Sequence, residues 1–156
     1  MAAWEGQLAQ IIEKEISLLD EIYECSREKT SMLAKGDVEG ISKIVDREQT
    51  LSLLMQTAEK KRLALLRENR AAGKTLRQIC SEADGEYKDV LESQLETLTK
   101  AVEQLKKSND LNNELTKSRL EFYGKLRSLY SQSAYGYTKE IEKNSPEGSG
   151  IIDRSV

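Results

Sequence analysis

The chain has 156 residues, 33% charged and 38% hydrophobic, with 5% aromatic residues, a single proline, no histidine and a net charge of −3. That balance fits one nearly all-helical domain, and its mild acidity speaks against both a nucleic-acid binder and a polybasic membrane anchor. Lacking histidine, the chain lacks the commonest general base and metal ligand near neutral pH. No enzyme, cofactor or metal site is therefore expected, and Cys25 and Cys80, which form no CxxC, read as structural thiols.

Met1-Ala2-Ala3-Trp4-Glu5 has no basic stretch leading into an apolar one, and no apolar run approaches the length of a membrane span. A cytoplasmic protein that binds other proteins is the expectation.

Helix 1 is expected over residues 4–34, with Leu8, Ile11, Ile12, Leu18, Leu19, Ile22, Cys25 and Leu33 on one broad face. Glu15 and Lys29 fall on the same track and are expected at its edge, stems packed and charged heads in water. Lys35-Gly36 supplies a basic last turn and a left-handed stop. Asp37 then caps helix 2, expected over residues 38–70, whose seam reads Ile41, Ile44, Glu48, Leu51, Met55, Ala58, Arg62 and Leu65. So short a connection forces the two helices into an antiparallel hairpin.

Gly73-Lys74-Thr75 looks like the end of a phosphate-binding loop, but Glu68 stands where that loop needs a glycine, and a helix precedes it instead of a strand. Thr75 instead suits the cap of a short helix over residues 76–82, whose Leu76, Ile79 and Cys80 form a small apolar face. Paired carboxylates such as Glu13 with Glu15 or Asp46 with Glu48 point about 200° apart on a helix and cannot share a substrate.

The last and longest helix is expected over residues 86–133, about 70 Å at 1.5 Å per residue, which exceeds what the hairpin can cover. Leu91, Leu95, Leu98, Val102 and Leu105 run into Asn109 and Asn112, and the stripe restarts at Leu115, Phe122, Leu126 and Leu129. The two asparagines either fix register inside the bundle or stand at the rim of a binding surface. The final turns, with Leu120, Tyr123 and Tyr130 added, carry more apolar surface than a monomer usually exposes. They can take a partner's amphipathic helix, fold back on the hairpin, or pair with a second copy. The expected architecture is thus an elongated all-α three-long-helix bundle, an antiparallel hairpin plus a short helix and a long third helix over residues 1–136. A mobile tail over residues 137–156 follows, in which Ile151, Ile152 and Val156 form an apolar cluster.

The Gly36-Asp37 break, Glu59-x-x-Arg62-x-x-Leu65-Leu66, Asn109-x-x-Asn112-x-x-Leu115 and Tyr135-Gly136 appear in the order and spacing of a known family. The chain resembles the FlgN-type flagellar type III export chaperones over most of its length. The resemblance implies a cytoplasmic, ATP-independent, non-enzymatic protein. Such a protein binds the disordered C-terminal segments of the hook-associated proteins FlgK and FlgL, prevents their premature assembly and delivers them to the cytoplasmic domain of the export-gate protein FlhA. By the family pattern, client contact falls to Leu115, Phe122, Leu126 and Leu129, and gate docking to Tyr135. The alternative is a structural or signalling coiled-coil homodimer with no client.

Overall fold

The computed structural model describes residues 3–133, which form four helices: α1 (Ala3–Lys35), α2 (Val38–Glu68), α3 (Leu76–Glu82) and α4 (Glu86–Ser133). The breaks between them follow from local chemistry. At the end of α1, Gly36 takes φ +72°, its amide donates to the Leu33 carbonyl, and the Asp37 amide donates to Met32. This is the double bond pattern that closes a helix on a left-handed residue. Asp37 serves both sides of the turn, since its carboxylate accepts from the Gly40 amide at 2.9 Å and so caps α2. Helix α2 ends two residues earlier than the sequence suggests, because Arg70 takes a left-handed φ of +58° and the Ala71 amide turns back to the Leu66 carbonyl. Thr75 opens α3 with a reciprocal capping box to Gln78.

Helix α1 packs on both long neighbours and is the centre of the bundle. Glu15 meets Arg62 and Lys29 meets Glu48, so α1 and α2 run antiparallel. Along the other seam, the Ala9 carbonyl accepts from Gln94 and the Leu33 carbonyl from Arg119, so α1 and α4 run parallel. Leu8, Ile12, Leu65, Leu66 and Leu91 make the base of the core, which Ile79 and Cys80 of α3 close. Leu18, Ile22, Cys25, Ile44, Leu51 and Ala58 fill the middle, and Leu33, Ile41 and Val45 the top. Burial pushes both cysteine thiols above their ordinary pKa, which holds them in the unreactive protonated form.

The edge positions expected for Glu15 and Lys29 are corrected by the structure. Lys29 and Glu48 are each 3% exposed, with Nζ and Oε2 2.8 Å apart. Glu15 is also buried and accepts from Arg62 Nε at 2.8 Å. Burial raises the Glu15 pKa, and the Arg62 charge and hydrogen bond only partly oppose that. The reason is geometric. With both helices 31 residues or longer and joined by a two-residue turn, the seam between them is continuous, so a charge at a seam position has no edge to escape to.

Candidate functional site

Three features of α4 build the site. The first is a polar belt where α4 meets the upper half of α1. Asn112, 1% exposed, donates from Nδ2 to the Ser26 carbonyl at 2.9 Å and to Ser26 Oγ at 3.1 Å. Its Oδ1 accepts from the Thr30 hydroxyl. Ser26 Oγ in turn donates to Asn109 Oδ1 at 3.1 Å and lies 2.6 Å from the Ser108 hydroxyl. Both asparagines thus bond to α1, with Asn112 inside the helix interface and Asn109 half-buried beside it. A buried amide with three matched partners fits one register only, because sliding α4 by a turn would strand its donors among apolar groups.

The second feature is the end of the shared seam. Arg119 donates from Nε to the Leu33 carbonyl at 2.9 Å and from Nη2 to the Ala34 carbonyl. These are among the last carbonyls of α1, at the negative end of its dipole, where a guanidinium is favoured; on Leu33 it adds to the bond from the Gly36 amide. The guanidinium also lies so close to Gly36 that a Cβ there would stand 3.3 Å from Nη1. Arg119 therefore marks the level at which α1 stops and the chain turns into α2.

The third feature is what lies beyond. Helix α4 continues from Leu120 to Ser133, roughly 21 Å past that level. Leu91, Leu98, Leu105, Asn112, Arg119 and Leu126 are spaced by seven, as are Leu115, Phe122 and Leu129. The two tracks that face α1 lower down thus run on past the end of α1. Above Arg119 they are exposed: Phe122 is 52%, Leu126 41% and Leu129 61% accessible. Tyr123 and Tyr130 widen the same stripe, and the Phe122 and Tyr123 rings lie 6.0 Å apart, tilted at 59°.

The expected contact residues therefore separate. Phe122, Leu126 and Leu129 stand together on the overhang, whereas Leu115 is half-buried against Leu33, Ile41 and Val45 and belongs to the top of the core. Tyr135 lies outside the described residues, as do Ile151, Ile152 and Val156. Sequence reasoning did not single out Arg119, Ser26 or Thr30. A basic residue one heptad above a buried asparagine was a usable signal for Arg119, but only once the parallel pairing of α1 and α4 was known. No helix among the described residues is long and apolar enough to cross a membrane.

Residues 1–145 match the family model described as FlgN protein. The uncharacterized protein YvyG of Bacillus subtilis (strain 168) is 26% identical over 138 residues, covering 85% of this chain and 85% of its own. No solved structure matches the chain.

Proposed function

The chain belongs to the FlgN family, a family of flagellar export chaperones and not of enzymes, and we propose that it acts in the cytoplasm on the hook-associated proteins FlgK and FlgL. It holds their C-terminal segments against the α4 overhang, so that they do not assemble early, and hands them to the cytoplasmic domain of FlhA at the export gate. The observation that carries this reading is the stripe of Phe122, Leu126 and Leu129, which continues a helix-packing seam beyond the helix that fills it. A client segment that folds as an amphipathic helix would extend the bundle by occupying the place that α1 leaves. Asn109 and Asn112 serve as the register lock below that site.

Gate docking is assigned to Tyr135, which follows the overhang by two residues in the sequence. Light scattering on the full chain with a C-terminal fragment of FlgK or FlgL should give a 1:1 complex. Phe122→Ala with Leu126→Ala should weaken it by about 2–4 kcal/mol, from the apolar area no longer buried, while the helical content stays unchanged. Tyr135→Ala should bind the fragment normally and lose recruitment to the FlhA domain. Absence of any complex at micromolar concentration contradicts the client assignment, and equal recruitment of Tyr135→Ala and the parent contradicts the docking assignment.

A further inference from the structure

The overhang differs from the rest of the chain in charge as well as in packing. Between residues 119 and 133 there are three cations, Arg119, Lys125 and Arg127, and one anion, Glu121, in a chain whose net charge is −3. Arg119 is already engaged on the carbonyls of α1. Lys125 and Arg127 immediately flank Leu126 in sequence and are both exposed. At 3.6 residues per turn they leave the helix about 100° to either side of Leu126. Each therefore borders one edge of the apolar stripe. Glu121 projects about 140° away from Leu126 on the Lys125 side, one turn before that lysine, so Arg127 borders the edge with no acidic neighbour one turn before it.

We propose that the overhang selects an acidic amphipathic client helix. An apolar seam docks on Phe122 and Leu126, and carboxylates on the two flanks of that seam meet Lys125 and Arg127. This deepens the client assignment above and rests on it. The flanking positions of a helix pair set partner choice more than affinity, because the like-charged alternative is penalised as the matched one is favoured. The same charges discriminate against a second copy of this chain, since pairing two overhangs would bring lysine and arginine of one against lysine and arginine of the other. Lys125 and Arg127 are accordingly specificity-determining residues, and the apolar stripe supplies the affinity.

The test uses the full chain, the hook-associated C-terminal fragment and two designed three-heptad helical peptides. The peptides share one leucine seam and carry either glutamate or lysine on both flanks. The acidic peptide should bind about tenfold more tightly than the basic one at low salt, a preference that fades as salt screens exposed charges. In Lys125→Glu with Arg127→Glu the preference should invert while helical content stays the same. Equal affinity of the two peptides, or an unchanged preference in the double variant, overturns the charge selection even though the hook-associated fragment binds. Failure of that fragment to bind at all is the distinct result that removes the client assignment itself. A doubled particle mass that Leu126→Ala abolishes would show that a second copy occupies the stripe and would overturn the proposal.

Discussion

Replacing Lys29 alone with methionine should cost about 3–5 kcal/mol of stability, whereas Lys29→Met combined with Glu48→Leu should cost far less or even stabilise the protein. Lys29 Nζ and Glu48 Oε2 are 2.8 Å apart, both side chains are 3% exposed, and neither atom has a hydrogen bond beyond the ion pair itself. Mutual attraction alone must offset the removal of two charges from water. Take away one partner and the other is left buried and uncompensated; take away both and an apolar pair fills the seam between α1 and α2. Urea unfolding followed by circular dichroism separates the cases. A single variant no less stable than the double would show that the remaining charge reaches water, contrary to the packing observed. The exposed pairs, Lys100 with Glu96 and Lys43 with Glu39, should by comparison change stability only slightly when neutralised.

Asn112→Ala should cost about 2–3 kcal/mol, more than any other substitution in the polar belt. It removes two donated bonds and one accepted bond from a site that water does not reach, and leaves a small cavity. Asn109→Ala, at a half-buried position where its oxygen accepts one bond from Ser26, should cost about 1 kcal/mol or less. Pairing Asn112→Ala with Ser26→Ala should be markedly non-additive, because each change removes the same hydrogen bond. Equal effects of the two asparagines, or full additivity with Ser26, would mean that the belt does not hold the register of α4 on α1.

The bounds of α3 and the start of α4 were legible in the sequence because their signals are local: a Thr75 cap, the Gly85 break and a long apolar periodicity. The polar belt was half legible. Asn109 and Asn112 stand out as polar residues on an apolar track, but their partners Ser26 and Thr30 lie more than 80 residues away, and serine and threonine on a helix carry no signal of their own. Glu15 and Lys29 stand apart from the expected edge for a related reason. Each alone looks like a charge at the edge of a stripe, and only the register of the antiparallel hairpin sets Lys29 against Glu48 and Glu15 against Arg62.

For the candidate site, the sequence grouped Leu115 with Phe122, Leu126 and Leu129 because all four share the restarted stripe. What separates them is where α1 ends relative to α4, a tertiary fact set by the Arg119 contact. The apolar residues change tracks across the asparagines, from Leu95 and Val102 on one side of the seam to Leu115 and Phe122 on the other. Below the change the helix serves the fold, and above Arg119 it stands beyond it.

That division has a dynamic consequence. A helix of about 14 residues is marginal in water on its own, and Gly124 lowers its propensity by about a further 1 kcal/mol relative to alanine. The overhang persists because it grows from a nucleus already packed on α1, so its amides should open more readily than those below Arg119. The decisive measurement is amide hydrogen exchange on the full chain with and without the C-terminal fragment of FlgK or FlgL. Client binding on the overhang predicts fast exchange over residues 120–133 in the client-free protein and strong new protection centred there in the complex. Protection confined to α1, α2 or the base of the bundle, with residues 120–133 exchanging as before, would contradict it.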